Sequence, residues 1–165
     1  MNNAQFSFFF VSLHPIMTRL EYWINSQTQY RIHSPFVFEM YRKVLFARLD
    51  KELRARMLSL MPDEMKLHYQ QADWRERKYH EMVYKLKDHY GMQTVCYDAD
   101  EAVLCGGDPE FGTLKVVCRP HRCRARELRW QAQQGNSKYN VSIDLFDVGL
   151  LMRQDKLHNQ HFLLR

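Results

Sequence analysis

Residues 141–152 read Val-Ser-Ile-Asp-Leu-Phe-Asp-Val-Gly-Leu-Leu-Met, and this stretch decides how the chain is to be read. Its hydrophobic alternation is that of a segment closing a sheet edge. Gly149 inside it marks a close backbone approach or a bulge. Residues 161–164 repeat the apolar character after a polar connection, so 141–152 and 161–164 are expected to be the two closing strands of a sheet.

Toward the amino terminus, Gly135 and Asn136 break a helical pattern over 121–134. Three short β-prone runs precede it: Gln93–Tyr97, 102–105 and Thr113–Cys118. An acidic turn at 98–101 and the turn Gly106, Gly107, Asp108, Pro109 separate them, which makes about five strands in the whole chain. The first half reads as helices. From Thr18, Leu20, Trp23 and Ile24 recur at helical spacing until 27–31 interrupts them. Ser34 before Pro35 is a helix start, a hydroxyl cap followed by a residue with no amide to satisfy, and a broad apolar stripe runs from Val37 to about Leu49. A more charged tract at 52–60 stops at Pro62. Another helix begins at Asp73, with Glu76 placed as in a capping box, and ends at Gly91. Helices followed by strands and a helix predict a two- or three-layer α/β or α+β domain.

The chain has 165 residues, 45% hydrophobic and 26% charged, which suits one globular domain over 17–165. Six glycines and five prolines exclude collagen-like and low-complexity classes, and no run of 18 apolar residues offers a membrane span, so no membrane partner is expected. The net charge of +5 arises from 24 basic and 19 acidic residues that are interspersed, a balance that allows a phosphate or nucleic-acid partner without demanding one. Four cysteines are too few for a disulfide scaffold, and a reducing cytoplasm is the expected location. Residues 5–16 are aromatic and apolar, yet no Lys or Arg precedes them and no small-residue cleavage site follows. Residues 1–16 are therefore expected to be either a β-prone extension or an upstream artefact of start-codon choice, in which case Met17 is the start.

Two separated segments, 32–38 (IHSPFVF) and 141–151 (VSIDLFDVGLL) with 160–165 (QHFLLR), resemble a bacterial family of class I S-adenosylmethionine-dependent methyltransferases. Ile32, His33, Ser34, Pro35, Phe36, Val37 and Phe38 look like that family's first helix start. Residues 141–151 with Gln160, His161, Phe162, Leu163, Leu164 and Arg165 look like its last hairpin. The resemblance implies a Rossmann-like sheet, with Trp130 in the helix before the hairpin and 113–121 where a strand ends in an acidic pair before a histidine. In this chain that place reads Cys118, Arg119, Pro120, His121, so arginine reverses the charge and only the histidine persists.

A cofactor site of this class needs a glycine turn that lets backbone approach the ligand at a strand end. No glycine occurs between Leu49 and Gly91, and Gly106 and Gly107 sit in an ordinary-looking turn. The expectation is a truncated Rossmann-like methyltransferase sheet behind amino-terminal helices, degenerate across the cofactor site and without catalytic activity. No cofactor is then expected, and S-adenosylmethionine only if a divergent pocket, built near Tyr97, Asp98 and Gly106 with His121, keeps the enzyme active.

Other constellations support binding rather than catalysis. Arginines crowd 119–130, and Arg122, Arg126 and Arg129 fall at four and three spacing on one expected helical face, which makes them candidates for binding phosphate or nucleic acid beside Trp130. The plainer alternative is a solvated helix with Ala125, Leu128 and Ala132 toward the core. Cys118, His121 and Cys123 lack the paired spacing of zinc knuckles, so no metal is expected. His68, His80, His89 and His158 form no nucleophile and base pair by spacing, and Asp98, Asp100 and Glu101 read as a turn. A sheet stripped of strands would leave open edges, through which a homodimer could form.

Overall fold

A computed structural model describes residues 17–98, 100–107, 111–155 and 157–165. The expected extension at 1–16 and residues Asp108 and Pro109 of the predicted turn lie outside the described residues. Within them the chain forms α1 (Arg19–Asn25), α2 (Pro35–Met40), α3 (Lys51–Leu60), α4 (Asp63–Gln71), α5 (Trp74–Tyr90) and α6 (Arg124–Gln134). The strands are β1 (Gln93–Tyr97), β2 (Glu101–Cys105), β3 (Thr113–Cys118), β4 (Val141–Asp144), β5 (Val148–Met152) and β6 (Gln160–Leu163).

The helix starts follow from local chemistry. Thr18 and Glu21 close a capping box on α1, Ser34 Oγ accepts the amide of Val37 ahead of α2, and Asp73 accepts the amides of Arg75 and Glu76 ahead of α5. Gly91 ends α5 in the left-handed conformation, φ 64°. The stripe expected to reach Leu49 stops sooner: α2 passes into a single π-helical turn at Tyr41–Leu45. There Lys85 Nζ donates to the carbonyls of Leu45 and Ala47 at 3.2 and 3.0 Å. Burial lowers the Lys85 pKa to about 8. Helix α4 has no clear signal in the sequence, because 63–71 carries too little apolar periodicity to stand out; it packs on α5 after Pro62.

The strand count needs correcting from about five to six. Residues 141–152 are two strands, because Leu145 and Phe146 form a turn although both are apolar. Asp144 Oδ1 accepts the Phe146 amide at 2.8 Å, and the Leu145 amide donates to the Val148 carbonyl at 2.9 Å. The sheet runs β1-β2-β3-β5-β4-β6. Among the six described strands β4 and β6 pair in parallel and the other four pairings are antiparallel, whereas a doubly wound nucleotide-binding sheet is mostly parallel.

Side-chain alternation divides the sheet into two faces. Ala102, Leu104, Leu114, Val116, Ile143 and Leu150 meet Val37, Met40, Tyr79 and Leu86 of α2 and α5 in the main core. Each such large apolar chain contributes about 1.5–3 kcal/mol on burial. Gly149 faces the other way, under Trp130 of α6. Both sheet edges are blunted: β1 carries a bulge between Thr94 and Cys96, and beyond β6 Gln27 donates to the Leu163 carbonyl and accepts the Arg165 amide. No helix among the described residues is long and apolar enough to cross a membrane.

Candidate functional site

The site lies at the end of the sheet where β3 leaves and the β4–β5 turn begins. The Arg119 amide donates to the Asp147 carbonyl at 2.8 Å and ties the two segments together. Among the described residues only Arg119 and Phe146 are non-glycines with left-handed backbone, at φ 49° and 66°. Such conformations cost roughly 1–3 kcal/mol each and persist where surrounding structure enforces them, frequently at functional sites. Both side chains line the same cleft of about 170 Å³, together with Arg19, Arg75, His121, Arg122 and Asp147.

Cations outnumber carboxylates there. Asp147, 4% exposed, receives Arg19 Nη2 at 2.8 and 3.1 Å, with Lys78 Nζ at 3.5 Å and Arg75 Nε at 3.8 Å. Arg75 Nε is buried and has no acceptor within hydrogen-bond distance. Arg119 Nη1 lies 2.8 Å from Asp73 and 3.5 Å from Glu76. Arg122 is exposed and has no carboxylate partner among the described residues. Five basic side chains thus face three carboxylates, a surplus that favours an anion. The Arg19 guanidinium also sits 5.2 Å from the Trp74 ring and 4.6 Å from the Phe146 ring, which limits its rotation.

Beneath the cleft, a polar network holds Phe146 in place. His121 bonds Glu127 through Nδ1 and Asp144 Oδ2 through Nε2, the latter at 2.7 Å. Trp130 Nε1 donates to Asp144 Oδ2 at 2.9 Å, and Gln131 Nε2 donates to Glu127 Oε1 at 3.0 Å. The imidazole stacks on Phe146 with centroids 5.3 Å apart. Burial lowers the His121 pKa, but the hydrogen bonds and charges of Asp144 and Glu127 outweigh it and the net direction is up. Protonated at both nitrogens, the ring donates to both carboxylates.

The anticipated arginine face does not assemble as one helical surface. Arg122 precedes α6, turned back so that its amide bonds the Arg119 carbonyl, and joins the cleft. Arg126 is held by Asp100 and by the Cys118 carbonyl, while Arg129 remains exposed on α6. The core face of α6 is also corrected: Glu127 and Trp130 are buried, whereas Ala125, Leu128 and Ala132 are exposed, because Glu127 has a distant partner in His121. Cys118 lies buried in β3, its thiol pushed up to about 12 by burial first and Glu76 second, and Cys123 stands exposed at the N-cap position of α6 with no capping hydrogen bond from its side chain. Asp98 and Glu101 exchange backbone hydrogen bonds across their turn, Asp100 holds Arg126, and Glu101 pairs with Lys115 at 2.7 Å. Asp98 and Gly106 stand at opposite ends of β2, so they do not wall one pocket with His121. The grouping of Arg19, Arg75, Lys78, Phe146 and Asp147 has no signature in the sequence, since 128 residues separate Arg19 from Asp147 and no local pattern links them.

Comparison with protein-family models, with curated proteins and with solved structures finds no match for the chain.

Proposed function

We propose that this chain is a methyltransferase-related scaffold that no longer transfers methyl groups and instead binds a phosphate-type anion in the arginine cleft. The ancestry rests on the resemblance at Ile32 to Phe38 and at the two carboxy-terminal segments. Loss of methyl transfer is favoured by the missing glycine turn and by a largely antiparallel sheet. The single observation that carries the binding reading is the convergence of the two left-handed residues, Arg119 and Phe146, on a cleft whose basic groups exceed its carboxylates. A guanidinium fork matches phosphate oxygens in pairs, and Arg122 has no competing acid.

Calorimetric titration with inorganic phosphate at low salt is the test. Binding is expected, weakened about tenfold or more by Arg122→Ala, since charge-assisted hydrogen bonds contribute roughly 1.5–3 kcal/mol each. Equal affinity in wild type and in Arg119→Ala and Arg122→Ala would remove the site. S-adenosylmethionine is expected to give no heat; saturable binding with methyl transfer would restore the active-enzyme reading. A second reading, nucleic acid along α6, is favoured by the exposure of Arg122, Arg124 and Arg129. It requires retention on a polyanion column that falls steeply with salt and drops when Arg124 and Arg129 become alanine.

A further inference from the structure

An extended elbow at Met61 and Pro62, with ψ of 139° and 151°, joins α3 to α4, and both helices line a groove with α5, Gly91, Met92 and Thr94 at the start of β1. The groove has a volume of about 520 Å³. That volume lies within the roughly 300–1,000 Å³ usual for small-molecule sites. Its floor is apolar and deeply buried: Met57 is 0% exposed, Met92 3% and Val83 5%. Met61 and Met65 are half-buried walls, so four of the chain's nine methionines surround the space. Unbranched thioether chains repack around ligands of different shape.

The polar groups lining the groove are unequal. Asp88 is bound by Arg56, whose Nε also donates to the Tyr84 hydroxyl at 3.0 Å. His80 is packed edge-on against His68, Tyr69 and Tyr79. Lys87 is the charged lining residue with no ion-pair partner among the described residues. An apolar floor excludes a ligand charged throughout, and one unpaired ammonium at the rim selects an anionic head.

We infer that this groove binds an amphiphile of the fatty-carboxylate class, its chain among the methionines and its carboxylate at Lys87. The site is separate from the arginine cleft and does not depend on the function proposed above.

Sodium decanoate, decanol and decyltrimethylammonium, each below its aggregation concentration, are the probes, followed through the methyl signals of ¹³C-labelled methionine. Decanoate is expected to shift the Met57 and Met92 signals saturably. It should bind about tenfold tighter than decanol, a preference that Lys87→Ala abolishes. Leu60→Glu, at a rim position 70% exposed, places a like charge at the mouth and should weaken decanoate binding without unfolding the chain. Failure of decanoate to move these signals, or equal binding of all three probes, would overturn the assignment. Shifts confined to other methionines would do the same.

Discussion

A side chain at residue 149 has no room, since a Cβ there would stand 2.6 Å from Trp130 Cη2. Gly149→Ala is therefore expected to destabilise the protein by about 1–3 kcal/mol, the usual cost of overpacking, read as a lowered urea midpoint at constant slope. Trp130→Phe should recover part of that loss in the double variant, a non-additivity that a mutant cycle measures. At Asp73, substitution by Ala removes the acceptor of the Arg75 and Glu76 amides and should cost about 1 kcal/mol by the same measurement. These two residues differ in how openly the sequence displays them. The cap at Asp73 is legible because donor and acceptor lie within three residues. The constraint at Gly149 shows only as a glycine in an apolar run, and its cause, the indole of Trp130, lies on another element.

Helix α6 is anchored by charge rather than by an apolar stripe, and this sets its response to pH. His121 has a folded pKa above its ordinary 6.5, raised by Asp144 and Glu127 against the opposing effect of burial. The stabilisation that the protonated ring contributes is complete below about pH 6.5 and is lost as pH climbs through the folded pKa, because the folded state then holds the proton that the unfolded chain has released. Denaturant midpoints measured from pH 6 to pH 9 are expected to fall in wild type. In His121→Gln this component of the slope should vanish; a slope unchanged by the substitution would place the titration elsewhere. The same buried pairing explains why the expected core face of α6 was rotated: periodicity assigns burial to apolar positions, and Glu127 is buried because His121 meets it across a turn.

At the scale of the molecule, edge-to-edge pairing of copies meets obstacles at both ends of the sheet, the bulge in β1 and the Gln27 bridge beyond β6. Analytical sedimentation is expected to return a monomer; a dimer that strengthens with concentration would show that the edges pair despite them. Mixed α/β composition, the starts of α1, α2 and α5, the Gly91 stop and β1 to β3 were all readable along the chain, since each depends on contacts within a few residues or on side-chain period. The split of 141–152 into β4 and β5 was hidden because its turn residues, Leu145 and Phe146, are apolar, and the pattern of a continuous buried strand fits them as well. Strand order and direction had no local signal either. The arginine cleft belongs to the same category: Arg19, Arg75, Arg119 and Asp147 come from separate segments of the chain, and their charges acquire a common target only when the sheet end and two helices pack together, since electrostatic convergence depends on distance in space and not on separation in sequence.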